Sequence, residues 1–388
     1  MDTSIKTHAV KDTEQRAALN AWASHNFRGS IIAGTGFGKS RCGVVAINYV
    51  LKQIPKGRAL LLVPTVQLQD QFKEEFIKWG VEQCLDRVDI ICYQSAYKLV
   101  DNHYDIVVCD EIHLGLSPKY RKFFKNNQYD RLLCMTATPP EEDEYRLLLF
   151  KLAPTIYTIT LDECVDLGLV APYEIHCVPI KLTGEERSEY SKINRRFVKH
   201  KLALGHDAFN AARIILASST SSGEMKAHAA GFYKAIRERK SIIDCATNKV
   251  EKFRELVYAN LDKRIITFGG KNSFTDELAA SVSPLAEVYH SKRSAKARKE
   301  ALRRFKDEEV NVLCSTKALN QGFDVPNANF GIICGLTSKA LSMVQRIGRL
   351  IRFKEGKTGI VYVLYVEDSQ EEKWLKNSVQ KLNGVKWL

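Results

Sequence analysis

A glycine-rich string, Gly34-Thr35-Gly36-Phe37-Gly38-Lys39-Ser40, follows the apolar run Ser30–Ala33 and precedes the apolar stretch Cys42–Leu51. Strand, tight turn and helix in that order leave few choices of fold. A phosphate-binding loop needs glycines that let backbone N–H groups approach the anion, a lysine for the β/γ-phosphates and a hydroxyl for Mg²⁺. Gly36, Gly38, Lys39 and Ser40 meet those needs, and Ala33 stands where the general pattern opens on glycine. The whole string, Gly34 through Ser40, is therefore expected to hold ATP with Mg²⁺.

The neighbouring sequence predicts the kind of sheet that carries such a loop. Arg58–Val63, Val88–Cys92, Asp105–Cys109 and Arg131–Met135 are short, continuously apolar runs, as strands buried on both faces require. Between them Leu68, Phe72, Phe76 and Trp79 recur at helical spacing until Gly80 stops the run. Strands alternating with helices predict a parallel, doubly wound α/β sheet. Asp162–Ala171 reads as a connector and Tyr173–Leu182 as a strand. A basic helical section then runs from about Gly184 to Leu261, broken at Ser218–Gly223. Alternation resumes with Arg264–Phe268, Ala286–His290, Val310–Cys314, Phe330–Cys334 and Gly359–Val366, and Leu375, Val379 and Leu382 mark a last amphipathic helix. The expected domains are 1–160, a connector and first strand at 161–183, the helical section at 184–261, and a second α/β lobe at 262–388.

A second chemical feature sits at the end of the fourth apolar run. Asp105–Cys109 leads directly into Asp110-Glu111-Ile112-His113. Ligands bind at the carboxyl ends of parallel strands. Two adjacent carboxylates there suit Mg²⁺ and water activation: Ser40 and Asp110 are expected to hold the metal, partly through water, and Glu111 to act as general base.

Charge is unevenly placed. Of a net +13, the stretch Lys181–Arg304 contributes +12, with 26 Lys/Arg against 14 Asp/Glu. A basic region of that kind suits a phosphate-backbone partner. The 10 cysteines form no Cys-x-x-Cys pair, which argues against a zinc ribbon or iron–sulfur cluster, and several close apolar runs as buried, reduced strand thiols. No stretch approaches the ~18–20 apolar residues of a membrane span, and Met1–Asp12 lacks an apolar signal core. A cytoplasmic protein is expected (the host cytoplasm, were it phage-encoded).

These pieces resemble, in order, the motifs of superfamily 2 helicases with a DExH box. Gln15 is similar to the adenine-reading glutamine, and Val63-Pro64-Thr65 with Leu68 and Gln71 to motif Ia. Tyr93-Gln94-Ser95 resembles the next strand-contacting motif, and Thr136-Ala137-Thr138 motif III. Ile265–Gly269 sits where motif IV belongs. Ser315-Thr316 through Gly322-Phe323-Asp324-Val325-Pro326 resembles motif V, and Gln345-Arg346-Ile347-Gly348-Arg349-Leu350-Ile351-Arg352 motif VI. The stretch Glu163–Tyr190 is similar to the linker of XPB-like and phage UvsW-type DNA helicases.

The resemblance implies two RecA-like lobes, each a mainly parallel doubly wound sheet, with a helical addition in the second. It implies catalytic roles for Lys39, Asp110, Glu111 and Gln345, with Arg349 and Arg352 as arginine fingers; helical spacing puts Gln345, Arg349 and Arg352 on one face. Gly322 and Asp324 would touch the ribose side of the nucleotide. Pro64, Thr65, Gln94, Ser95, Gly269, Thr316 and Asn320 would grip a strand by its phosphates, without reading sequence. Lys192, Arg195, Arg196, Lys199 and Lys201 form one basic cluster, Arg237, Arg239 and Lys240 a second, and Lys292, Arg293, Lys296, Arg298 and Lys299 a third. The expected activity is an ATP-dependent DNA helicase or translocase, a monomer in action, working on branched or forked DNA in replication, recombination or repair. Alternatives are an RNA helicase, the motor subunit of a restriction or remodelling complex, and a P-loop protein without translocation.

Overall fold

The computed structural model describes residues 3–137, 139–140, 142–316, 328, 330–336, 358–380 and 382–388. In the first lobe, helix α1 (Thr3–Ser24) leads into strand β1 (Arg28–Ala33), and α2 (Lys39–Gln53) follows the glycine-rich turn. Next come β2 (Ala59–Val63), α3 (Val66–Lys78), β3 (Val88–Cys92), the single turn α4 (Tyr93–Ala96), β4 (His103–Asp110), and the short α5 (Ile112–Gly115) and α6 (Lys122–Asn126). β5 (Gln128–Thr136), α7 (Asp143–Leu152), β6 (Thr155–Ile159) and α8 (Leu161–Asp166) complete it. The six strands form one parallel sheet in the order β3-β2-β4-β5-β1-β6.

The predicted strands fall where the apolar runs place them, because strands covered by helices on both faces cannot alternate with polar residues. β2 is buried at all five positions. Two elements lie outside the expectation. β6 is an edge strand with mixed burial, so its sequence TIYTI carries no continuous apolar signal. The stretch read as a connector opens with helix α8, which a capping box starts: the Thr160 hydroxyl accepts from the Glu163 N–H, and Glu163 accepts from the Thr160 N–H.

The second lobe starts at β7 (Tyr173–Ile180). Four helices follow: α9 (Gly184–Leu204), α10 (Ala208–Ala217), α11 (Gly223–Asp244) and α12 (Thr247–Tyr258). The helical section is thus broken at Gly205 and at Cys245-Ala246 as well as at the serine cluster; Gly205 takes φ 81°, a conformation that glycine adopts at little cost. Then come β8 (Ile265–Phe268), α13 (Asn272–Ser281), β9 (Ala286–Tyr289), α14 (Ala295–Lys306), β10 (Val312–Ser315), β11 (Phe330–Ile333), β12 (Gly359–Val366), α15 (Gln370–Val379) and β13 (Val385–Trp387). The strands make a seven-stranded parallel sheet, β13-β7-β12-β11-β8-β10-β9. Helices α9–α11 pack on a small core of their own around Leu204, Ala208, Ala212, Ala229 and Phe232.

Candidate active site

The sheet order of the first lobe brings three strand ends together. β5 lies between β1 and β4, with Ile32 paired to Thr136 and Asp110 to Met135. The glycine-rich turn, the Thr136 hydroxyl and the Asp110-Glu111 pair therefore share one edge, the carboxyl edge where such sheets bind ligands.

The turn itself depends on two glycines. Gly36 and Gly38 take φ 92° and 90°, a region that side-chain-bearing residues pay to enter. A Cβ on Gly36 would collide with Val170, and one on Gly38 with the Gln15 amide. Lys39 opens α2 and donates from Nζ to the Ala33 carbonyl at 2.7 Å. The Thr35 hydroxyl is buried with no partner among the described residues, a donor held out for an acceptor. Phe37 turns its ring inward, fully buried, 5.8 Å from the Tyr157 ring, so only its backbone belongs to the cradle. The donor set fits a nucleotide phosphate and a hard cation: an ammonium, backbone amides at a helix N-terminus, a hydroxyl and a carboxylate.

Gln15 is 3 % exposed, and its amide braces this turn. Nε2 donates to the Phe37 carbonyl at 2.6 Å, and Oε1 accepts from Arg41 at 2.7 Å. Arg41 also bonds Asp12 at 2.6 Å and stacks 4.3 Å over the Trp79 ring. Arg41 and Trp79 were not among the expected site residues, although Arg41 directly follows Ser40.

Glu111 has φ 50°, the left-handed region, which turns the chain sharply from β4 into α5. Strain of that sort in a carboxylate next to a buried Asp110 is a mark of a site. The Thr136 hydroxyl donates to Glu111 Oε2 at 3.1 Å, and His113 Nδ1 lies 3.3 Å from Oε2 and 3.2 Å from Thr136 Oγ1. Burial pushes the Glu111 pKa up, but the His113 bond, the Lys39 charge and the Thr136 bond together hold it below the ordinary glutamate value. The group is thus a carboxylate in a partly buried site, the form a general base requires. Behind it, the buried Tyr93 hydroxyl donates to the Asp110 carbonyl at 2.8 Å.

The expected strand contacts divide between the lobes. Gln94 and Ser95 are exposed on α4, and Gln94 donates to the Pro64 carbonyl at 3.0 Å, tying the ends of β2 and β3. Thr65 precedes α3 with its hydroxyl buried and unpartnered among the described residues. In the second lobe the Gly269 N–H donates to the Ser315 carbonyl at 2.8 Å. Next to it, Gly270, Lys271, Ser291, Lys292 and Thr316 line an open groove of about 590 Å³. Asn320, Gly322, Asp324, Gln345, Arg349 and Arg352 lie outside the described residues, as does Thr138 of the Thr136–Thr138 motif.

The basic clusters fare differently. Lys192, Arg195, Arg196, Lys199 and Lys201 are all exposed on α9, and Lys292, Lys296 and Lys299 are exposed at and before the start of α14. The second cluster is corrected. Arg239 is only 8 % exposed; its guanidinium lies 4.2 Å from the Phe197 ring centre and donates to the Tyr190 hydroxyl at 3.2 Å. Lys240 bonds the buried Asp244 of its own helix at 2.7 Å and donates to the Leu336 carbonyl at 3.3 Å. These two side chains fasten α11 to its neighbours, and only Arg237 is left as an open cation of the three. The cysteines follow expectation: nine are buried, Cys245 is partly so, and none is disulfide-bonded. Burial pushes the Cys42 and Cys334 thiols up to about 12, which keeps them unreactive. No helix among the described residues is long and apolar enough to cross a membrane.

Comparison with known proteins agrees with the two lobes. Residues 7–141 match the family model "Type III restriction enzyme, res subunit", and residues 248–354 match "Helicase conserved C-terminal domain". The chain is 26 % identical to DNA 3'-5' translocase XPB2 of Sulfurisphaera tokodaii, over 90 % of this chain and 80 % of that protein. It is 24 % identical to "Putative helicase 22" of Sulfolobus islandicus filamentous virus, over 99 % of this chain and 68 % of that one. Among solved structures, the Pyrococcus furiosus Hef helicase domain superposes with TM-score 0.60 at 15 % identity, covering 92 % of this chain and 96 % of that domain. Saccharomyces cerevisiae Dbp5 bound to RNA and ADP BeF3 superposes with TM-score 0.62 at 14 % identity, covering 97 % and 88 %.

Proposed function

Starting from a chain that is an ATP-using superfamily 2 helicase of XPB-like type, we propose that its substrate is branched or forked DNA, which it unwinds or branch-migrates during replication, recombination or repair. The observation that carries this reading is the placement of charge: five exposed basic residues, of which Arg196 is paired with Glu238 at 3.1 Å, on one helix of a helical addition with a small core of its own, on the lobe that carries the second groove. A motor that only tracks a strand does not need such a surface; one that meets a second duplex arm does. The relative from Sulfurisphaera tokodaii is named a DNA translocase, which supports DNA over RNA.

In this reading Lys39 and the amides of Gly34–Ser40 hold the ATP phosphates, and Ser40 and Asp110 hold Mg²⁺. The ion, when bound, neutralises charge on the phosphoryl oxygens. Glu111 Oε2, kept ionised and aimed by Thr136 and His113, takes the proton of the attacking water. Gln15 fixes the turn against α1. Gln345, Arg349 and Arg352 complete the site from the second lobe, where a guanidinium best stabilises charge spread over the γ-phosphoryl group. Gly322 and Asp324, by resemblance, would take the ribose side. ATP then joins the lobes only while its γ-phosphate is intact, and hydrolysis releases them. Pro64, Thr65, Gln94 and Ser95 on one lobe, and Gly269, Thr316 and Asn320 on the other, convert that closure into steps along a strand.

The test is ATPase stimulation and unwinding on single strands, duplexes, forks and four-way junctions, each made in DNA and in RNA. Forks and junctions in DNA should give the highest unwinding rates. Equal or better activity on RNA would sink the DNA assignment. One observation favours a second reading: the first lobe matches a restriction-enzyme subunit model. A motor subunit of that kind would hydrolyse ATP on duplex DNA without separating its strands.

A further inference from the structure

Beside Gln94 and Ser95 the first lobe carries a surface that the strand contacts above do not use. Tyr97 directly follows α4. Its ring lies 6.0 Å from that of Tyr120, which in turn stacks 6.2 Å from Tyr93 at an interplanar angle of 27°. Tyr93 is buried, while Tyr97 and Tyr120 are half-exposed, so the row of rings runs from the core to the surface. Two exposed lysines sit on its outer end. Lys119 Nζ is 4.6 Å from the Tyr97 ring centre and 5.9 Å from that of Tyr120, and Lys98 Nζ is 6.0 Å from Tyr97.

A rim aromatic held at a tilt of 44° against a second ring is costly to leave to chance, since it exposes apolar area that packing on the core could have hidden. Flanking it with two ammonium groups suits one class of ligand, a polyanion whose units each carry a π-face. We propose that Tyr97, backed by Tyr120, is a stacking platform for an unpaired nucleobase, and that Lys98 and Lys119 take the phosphates on either side of it. Gln94, three residues before Tyr97 on the same turn, fixes the distance between the phosphate track and the base. Lys119 moves from the ring face to a phosphate as the base arrives, so one cation–π contact is exchanged for a stack and an ion pair. The platform distinguishes single-stranded from paired nucleic acid, because only an unpaired base can turn onto the ring. It rests on the reading that a strand crosses Gln94 and Ser95.

The experiment compares binding of an oligo-dT strand with an equally long strand of abasic sugar-phosphate, by fluorescence anisotropy at one salt concentration. Wild-type protein should hold the dT strand roughly 5- to 150-fold more tightly, the range that one aromatic stack supplies. Tyr97→Leu, which keeps apolar volume without a π-face, should lose that preference and bind the abasic strand as before; Tyr97→Phe should keep it. Lys119→Ala should weaken both strands alike. Equal wild-type affinity for the two strands, or a Tyr97→Leu loss shared equally between them, overturns the platform. Should the leucine variant fold poorly, a 5-iodouracil strand cross-linked to the wild-type protein decides: cross-links at Tyr97 or Tyr120 support it, and cross-links confined elsewhere reject it. Absence of all single-strand binding by the wild type would instead remove the underlying strand path.

Discussion

Lys249 on α12 and Glu371 on α15 form an ion pair with no solvent exposure on either side. Lys249 Nζ donates to both carboxylate oxygens, at 2.9 and 2.8 Å, and to the Cys334 carbonyl at 2.9 Å. Glu371 also accepts the Val366 N–H at 3.0 Å. The pair therefore ties two helices to the ends of β11 and β12, the strands that flank the segment bearing Gln345, Arg349 and Arg352. Glu371→Leu leaves an ammonium in a dry interior with one carbonyl for company. Such an uncompensated charge costs about 3–5 kcal/mol, a large part of the ~5–15 kcal/mol that holds a domain folded. The paired change, Lys249→Met with Glu371→Leu, removes both charges and should cost little or even stabilise, since burial works against the pair: desolvation raises the Glu371 pKa, and the Lys249 charge only partly offsets it. The assay is urea titration followed by Trp374 fluorescence, as Trp374 lies on α15 within 5.6 Å of Lys240 Nζ. A multi-lobed protein need not unfold in one step, so the transition to compare is the one Trp374 reports. The single variant should also lose ATPase activity on mild heating while the first lobe still binds ATP. A Glu371→Leu protein within about 1 kcal/mol of wild type, or a double variant no better than the single, would refute this account of the pair.

Glu111→Gln should keep ATP affinity and abolish turnover, measured by nucleotide binding and phosphate release; an active variant would remove the general-base assignment. Gly38→Ala forces a side chain into φ 90° and against the Gln15 amide, at a cost of about 1–3 kcal/mol, and should both weaken ATP binding and lower the melting temperature by a few degrees. His200 and His228 face each other across α9 and α11 with Nδ1 atoms 3.2 Å apart. Burial first, then His228, Lys199 and Arg196, lowers the His200 pKa below its ordinary 6.5. The unfolded chain thus binds the proton more readily, so the stability that neutral His200 supports is present above pH 6.5 and is lost as pH falls below it. Melting at about pH 7.5 and about pH 5.5 should show a drop that His200→Gln flattens; an unchanged wild-type melting temperature would count against it.

The sheets were legible in the sequence because a strand sandwiched between helices must be apolar at every position, and a run such as ALLLV has no other home. The glycine-rich turn and the acidic pair could be picked out because the chemistry expected of them constrains local spacing, and the fold brings both to one sheet edge. What escaped is what depends on partners distant in the chain. β6 lies at a sheet edge and carries half-exposed residues, so only its pairing with β1 defines it. Arg239 reads as one more surface cation until Phe197 and Tyr190, more than a helix away in sequence, are seen to enclose it. Tyr93 reads only as part of the Tyr93-Gln94-Ser95 string, and only the fold shows its hydroxyl on the carbonyl of Asp110.

That last contact bears on how the two sites proposed for the first lobe would communicate. The row Tyr97–Tyr120–Tyr93 begins at the surface beside Gln94 and ends on the backbone of the acidic pair, while Gln94 itself holds the end of β2. A comparable tie exists in the second lobe. Asp244, at the last residue of α11, is 1 % exposed and lies between Lys240 at 2.7 Å and Lys271 at 3.7 Å, and Lys271 also donates to Ser241 at 3.1 Å. Lys271 lines the groove next to Gly269 and Thr316. The helical addition is therefore clamped to the turn after β8 through a buried carboxylate, whose desolvation makes loss of either cation costly. A duplex arm that displaces α11 must move Lys271 with it, and with Lys271 the wall of the groove. The basic helices thus have a mechanical route to the edge proposed to grip the strand, which a loosely tethered appendage of the same charge would lack.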